Sequence, residues 1–364
     1  MEVFKMFSSI ELTLPPLEIF KIPSKPLVRM PIMPRNTPTG KVFHPLEVNP
    51  RFFNLTMGSD FVFTFVAAYV SVVFLLNKFN DARQYRPWSM TRTTAFKVFM
   101  IAHNSMLALF SAWAISGMIY NQLVHWYSAT SGLERGDPSL VVEYLCNMDS
   151  KDYRILTKPL LGSEERIIYM YWIFYVSKFY EVVDTLIILA RGKRSSTLQT
   201  FHHAGVIIIG WTGLRYESPM APPGAILNAA VHTLMYFYFT LQTLGISVSK
   251  RFKRALTSIQ IAQFIVGLGF AHFYLFVNYK APMHKDQAPG ADLLHGSAQS
   301  PNGSNGIGTF PCLDNQGGAF PLVVASSYLL PLIYLFVEFY INSYGGKTAA
   351  PTTTITRTTA PKTE

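Results

Sequence analysis

Apolar stretches recur along this chain at close to the ~20-residue length that carries a helix across a bilayer core, and charged residues gather between them. Once such a segment leaves water it must satisfy every backbone N–H and C=O internally, so helix is the structure open to it. Seven candidates are legible, near residues 60–77, 97–120, 167–190, 201–216, 224–247, 256–279 and 319–342. The third carries charges and the fourth is short. The fold expected is an all-α polytopic membrane protein with seven transmembrane helices.

The segments outside the spans differ in composition. Residues 1–59 form a Pro-rich arm without sustained periodicity, expected to be extended, with an interfacial piece near its end. Residues 132–166 mix charges of both signs, as expected of short helices outside the bilayer. Residues 281–318 are rich in Gly, Pro, Ser and Asn and read as a flexible loop. The Thr-, Ala-, Pro- and Lys-rich tail over 345–364 reads as disordered. This leaves 60–344 as the membrane domain. No signal peptide is evident, so the first span is expected to serve as its own insertion signal. The absence of a visible internal repeat weakens a transporter built from duplicated halves.

With 31 Lys and Arg against 21 Asp and Glu, the net charge of +10 raises the question of a nucleic-acid partner. The placement of the basic residues argues against one. Lys78, Arg83, Arg86 and Arg92 follow the first span; Arg191, Lys193 and Arg194 follow the third; Lys250, Arg251, Lys253 and Arg254 follow the fifth. In a seven-span chain these loops share one side with Lys347 in the tail, and the positive-inside rule makes that side cytosolic. The N-terminus is then lumenal and the C-terminus cytosolic. Cys146 and Cys312 fall in two lumenal loops, where a disulfide and two free thiols are both open readings. Asn302-Gly303-Ser304 and Asn54-Leu55-Thr56 are glycosylation sequons, the second close to the membrane.

Several residues do not belong in hydrocarbon. Lys178, Glu181 and Thr185 stand at i, i+3 and i+7 in the third span, with Asp184 beside them. Gln199, His202 and His203 stand at i, i+3 and i+4 at the mouth of the fourth. Asn228, His232 and Met235 share a stripe of the fifth, followed by Tyr236; Thr257, Gln260 and Gln263 recur at a three-residue interval in the sixth. Burying such groups costs several kcal/mol each unless they pair or face a wet cavity, so they mark a functional interior. Each has a plainer reading: an ion pair that fixes packing, a hydrogen-bonded core histidine, amides that hold helices together. His103-Asn104 in the second span stays undecided between the two. The 28 Phe and 19 Tyr are read as packing and interfacial residues.

These motifs, in this order, resemble the elongase family of very-long-chain and polyunsaturated fatty acids, the membrane 3-ketoacyl-CoA synthases of the endoplasmic reticulum. The family's Lys-x-x-Glu-x-x-Asp-Thr matches Lys178, Glu181, Asp184 and Thr185, and its His-x-x-His-His box matches His202 and His203. Its Asn-x-x-x-His-x-x-Met-Tyr matches Asn228, His232, Met235 and Tyr236, and its Thr-x-x-Gln-x-x-Gln matches Thr257, Gln260 and Gln263. One departure is explicit: Gln199 replaces the first histidine of the box, as in some relatives that act on polyunsaturated chains.

The resemblance implies a seven-helix fold around a narrow acyl-chain tunnel with a cytosolic entrance for coenzyme A. It implies condensation of an acyl-CoA with malonyl-CoA to 3-ketoacyl-CoA, carbon dioxide and free coenzyme A, both thioesters being substrates, with no cofactor and no metal. His202 is the expected nucleophile and His203 its acid-base or oxyanion partner, with His232 facing the same carbons. Asn228, Gln199 and Lys178 are candidate donors to an enolate oxygen, with Glu181 and Asp184 positioning Lys178 or the histidines. Tyr236, Gln260 and Gln263 are expected to contact substrate. Arg191, Lys193, Arg194, Lys250, Arg251 and Lys253 are read either as ligands of the coenzyme A phosphates or as topogenic charge. Membrane lipids, a ketoreductase, a dehydratase and an enoyl reductase are the implied partners, and a homo-oligomer is allowed. The rival readings are a membrane di-iron desaturase or hydroxylase, which needs more imidazole ligands than one box supplies, and a non-enzymatic seven-helix receptor.

Overall fold

Capping residues set where the helices begin. Asn49 Oδ1 accepts from the Arg51 and Phe52 amides ahead of Pro50, Thr93 Oγ1 from Phe96 N–H, Ser196 Oγ from Gln199 N–H and Ser249 Oγ from Phe252 N–H. The computed structural model describes residues 10–20, 40–133, 138–146, 156, 163–282, 307–313 and 316–344. Its helices are α1 (Gly40–Phe43), α2 (Pro50–Met57), α3 (Ser59–Ala82), α4 (Thr94–Ala129), α5 (Pro138–Cys146), α6 (Ser163–Glu181), α7 (Val183–Ala190), α8 (Thr197–Arg215), α9 (Ala221–Leu244), α10 (Lys250–Phe273) and α11 (Gln316–Tyr344). The Asn302 sequon and the 345–364 tail lie outside the described residues, as does most of the 281–318 loop.

Among the described residues, five helices are long and apolar enough to cross a membrane: α3, α4, α9, α10 and Ala319–Tyr344 of α11. Only 17–28% of the most apolar stretch of each is buried within the protein, and residues such as Leu109 (72% exposed) and Leu330 (60%) point outward. An apolar surface of that extent is suited to lipid. The expected count of seven is not reached on length and composition. The two candidates that fall short are the charged one and the short one. The charged span is divided at Val182 into α6 and α7, with Lys178 and Glu181 just before the break, and α8 carries two histidines in 19 residues. At 36 residues, α4 is about 54 Å long and exceeds a ~30 Å hydrocarbon core.

The fold also contains strands, which an all-α expectation omits. β1 (Ile10–Leu12), β2 (Val277–Pro282) and β3 (Ile307–Pro311) form an antiparallel sheet in the order β1-β2-β3, with Ile10 opposite Tyr279 and Asn278 opposite Pro311. The Pro-rich arm and the ends of the Gly-rich loop thus pair with residues that follow α10. That helix stops at Phe273, ahead of the 279 expected. Cys146 at the end of α5 is disulfide-bonded to Cys312 beside β3, and Val142, Tyr274, Val277 and Tyr279 pack around the bond.

Two joints hold the helices in place. At one end, the terminal carbonyls of α2, which have no helical partner, accept from side chains of α6 and α8. Tyr175 O–H donates to Thr56 O at 2.7 Å, and Trp211 Nε1–H and Arg215 both donate to Met57 O, at 2.9 and 2.8 Å. Trp172 Nε1–H donates to Thr56 Oγ1, so the hydroxyl of the Asn54-Leu55-Thr56 sequon is buried in this joint. At the other end, Asn77 makes two bonds with Ser195, and Asn80 donates to Leu189 O while accepting from Trp88. Gly192 (φ +71) belongs to this joint: a Cβ there would run into the Tyr85–Pro87 backbone. The chain therefore enters α8 from a fixed point.

Candidate functional site

A cavity of about 210 Å³ runs between α6, α8, α9, α10 and α11. On α8 it touches His202, Val206, Ile209, Gly210, Gly213 and Leu214, one helical face followed for about 18 Å at 1.5 Å per residue. Gly224, Ala225, Gly267, Ala271 and Ala325 on the facing helices keep the bore open. Polar groups meet this apolar channel at Lys178, His202, Asn228 and Gln263, and at Ser218 near the α8–α9 turn.

The imidazoles of α8 and α9 come together. The ring centroid of His202 lies 5.4 Å from that of His203 and 6.4 Å from that of His232 on α9. Of the three, His202 is the one that lines the cavity. Its Nδ1 lies 3.0 Å from the Tyr328 hydroxyl of α11. Gln199 turns to its own helix: its amide donates to His203 Nε2 at 2.8 Å and approaches Thr185 Oγ1, which is bonded to Tyr69 O–H. Because the His203 Nε2 accepts, the proton of that neutral ring sits on Nδ1, which is buried without a partner.

Lys178 and Glu181 form an ion pair of 2.7 Å while 2% and 1% exposed, and the ammonium lies 4.0 Å from the Phe174 ring centroid. Glu181 Oε2 stands 3.6 Å from His232 Nδ1, beyond hydrogen-bond reach. Desolvating two charges is costly unless both are paired, and pairing within one turn meets that condition locally.

The structure redirects Asp184. Expected to position Lys178 or the box histidines, it instead accepts from His103 Nε2–H at 2.8 Å and from Tyr236 O–H at 2.6 Å, while Tyr180 O–H meets the other His103 nitrogen at 3.0 Å. Tyr236 is thereby turned to Asp184 and away from the cavity lining. Gln260 donates to Met235 Sδ, and Thr257 bonds to Lys253 O and Tyr344, so both act between or along helices. Gln263 Oε1 and Asn228 Oδ1 are buried without partners and belong to residues that line the cavity. Arg191, Lys193, Arg194, Lys250, Arg251 and Lys253 are exposed around the start of α8 and of α10.

Sequence reasoning missed Tyr328, Tyr69 and Tyr180, read as packing, and left His103 undecided. Tyr328 and Tyr69 reach the cluster from other helices, so no local spacing betrays them, and Tyr180, between Lys178 and Glu181 on α6, is tied to the site only through His103 of α4. Among the described residues, no three His, Cys, Asp or Glu side chains are grouped so that they could hold a metal ion.

These features define a multi-pass membrane protein with ionisable groups gathered beside an apolar channel. Residues 55–352 match the model of the ELO family, also described as GNS1/SUR4, and the chain belongs to that family. It is 30% identical over 234 residues to fatty acid elongase sre1 of Dictyostelium discoideum, covering 64% of this chain and 75% of that one. It is 27% identical over 236 residues to fatty acid elongase 2 of Trypanosoma cruzi, covering 63% and 75%. It is 31% identical over 195 residues to very long chain fatty acid elongase 7 of Rattus norvegicus, covering 51% and 62%.

Proposed function

We propose that this protein is a fatty acid elongase that condenses a long-chain acyl-CoA with malonyl-CoA to give 3-ketoacyl-CoA, carbon dioxide and coenzyme A. The observation that carries the reading is the position of His202: it lines an apolar cavity of about 210 Å³, with two further imidazoles beside it. Family membership supports the same chemistry over the desaturase and receptor alternatives.

In the first half-reaction a His202 ring nitrogen attacks the acyl thioester carbon. The carbon–sulfur bond breaks, coenzyme A leaves as its thiolate, and an acyl-histidine remains, dividing one difficult step into two. Malonyl-CoA then loses carbon dioxide, its electron pair forms an enolate, and the enolate carbon attacks the acyl carbon. The carbon–carbon bond forms as the carbon–nitrogen bond breaks, and His202 is regenerated. Donors to the enolate oxygen stabilise the charge that develops there. We assign this role to Lys178 and Asn228 because both line the cavity; Gln199, bonded to His203 and close to Thr185, is assigned instead to orienting the box.

In this reading α6 with α7, and α8, complete a seven-helix bundle in the endoplasmic reticulum membrane, N-terminus lumenal and C-terminus cytosolic. The disulfide-bearing end suits the oxidising lumen. The exposed basic residues face the cytosol, where the phosphates of coenzyme A arrive. The reductases and dehydratase of the elongation cycle then process the 3-ketoacyl product, and a homo-oligomer is compatible with this arrangement. The test is purified protein incubated with acyl-CoA and carbon-labelled malonyl-CoA: release of one labelled carbon dioxide per two-carbon extension is expected. Absence of extension across acyl-CoAs of varied length and unsaturation overturns the proposal.

A further inference from the structure

The Tyr328 hydroxyl makes two contacts with one residue: 3.0 Å to His202 Nδ1 and 3.1 Å to the His202 main-chain carbonyl oxygen. A phenol carries one proton, and a carbonyl oxygen can only accept. If the phenol gave its proton to Nδ1, its oxygen would face the carbonyl oxygen at 3.1 Å with no hydrogen between them. If the phenol donates to the carbonyl, its lone pair is free to accept from an Nδ1–H, and both contacts are satisfied. We infer that Tyr328 is a positioning residue that holds neutral His202 as the Nδ1–H tautomer, so that Nε2 carries the lone pair offered to substrate in the channel.

The ring that delivers this hydroxyl is held on both sides. It stacks on Phe201 at 5.3 Å between centroids and sits buried between Phe264 and Leu332. Its other edge occupies a notch at Gly205, one turn along α8 from His202, where any Cβ would collide with the Tyr328 ring. The absence of a side chain at 205 is what lets α11 approach closely enough for the contact. The hydrogen bond made by one imidazole nitrogen decides which nitrogen bears the proton, and the reactive atom is thereby set by a residue on another helix.

A chemical consequence follows for the acyl transfer. Attack by Nε2 on the thioester carbon forms a carbon–nitrogen bond, breaks the carbon–sulfur bond and releases the thiolate, and the proton on Nδ1 stays in place. The product is an acyl-imidazolium cation, a better acyl donor than a neutral acyl-imidazole, and its Nδ1–H still donates to Tyr328. When the enolate takes the acyl group, the electron pair returns to Nε2 and the starting tautomer is restored. No proton has to move at His202 in either half-reaction.

This inference rests on the acyl-histidine reading, and the experiment separates the two. Wild-type protein and Tyr328→Phe are mixed with acyl-CoA without malonyl-CoA, and the acyl adduct on His202 is followed by rapid quench and mass spectrometry. Tyr328→Phe keeps the stacking ring and loses the hydroxyl. Its acylation rate constant is expected to fall roughly 10- to 100-fold with the acyl-CoA KM little changed. The nitrogen-15 signals of His202, assigned by comparison with His202→Ala, are expected to report Nδ1–H in the wild type and a mixture of tautomers in the variant. Gly205→Ala, which displaces the ring instead of removing the hydroxyl, is expected to reproduce both effects if it folds. An adduct that forms equally fast in Tyr328→Phe, or an Nε2–H signal in the wild type, overturns the role of Tyr328. No adduct in the wild type overturns the acyl-histidine reading itself.

Discussion

His202 and Gln199 share a face of α8, yet the structure gives them different work. His202→Ala is expected to abolish product formation while the protein still purifies folded, because no other imidazole among the described residues lines the channel. Steady-state condensation checks this, and substantial residual turnover would remove His202 from the nucleophile role. Gln199→His is expected to retain measurable activity, since an imidazole at 199 can also bond His203. Complete loss would show that the amide does more than orient its neighbour. Their grouping was legible because i, i+3 and i+4 positions of a helix must lie together. The Asp184 partners were not legible: His103 and Tyr236 lie 81 and 52 residues away in sequence. Only the packing of α4 and α9 beside α6 and α7 brings them there.

At the scale of elements, the start of α8 is fixed by its junction with the loop after α3. Gly192→Ala places a Cβ against the Tyr85–Pro87 backbone at a φ of +71. A loss of about 1–2 kcal/mol or more in stability is expected from the left-handed conformation alone. Thermal unfolding in detergent measures it, and an unchanged midpoint would show that the loop simply moves aside. Asn77→Ala removes both bonds to Ser195 and should lower activity along with stability, because α8 carries the histidines. Spans α3, α4, α9, α10 and α11 were legible from apolar length. The division of the third candidate at Val182 was not, because no Pro or Gly announces it. The sheet escaped notice because β1 has three residues and pairs with a strand more than 260 positions later.

Across the whole molecule, the disulfide ties α5 to the strand region over a separation of 166 residues. Closing so long a loop restricts the unfolded chain strongly, and removing a bond of this kind typically costs about 2–4 kcal/mol. The double variant Cys146→Ser/Cys312→Ser is therefore expected to melt at lower temperature while keeping its turnover per folded molecule, since the bond lies at the sheet and away from the imidazoles. A loss of turnover at temperatures where the variant stays folded would show that the sheet shapes the channel.

The Lys178–Glu181 pair bears on biosynthesis as well as on chemistry. Both partners sit within one turn of α6, so a nascent chain can offer them to the insertion machinery as a single net-neutral unit before any neighbouring helix has arrived. Lone substitutions such as Lys178→Met or Glu181→Leu would leave the membrane to accept an unmatched ion, whereas the paired substitution would spare it that burden. Yield of integrated protein should follow that order even where catalysis is lost in all three.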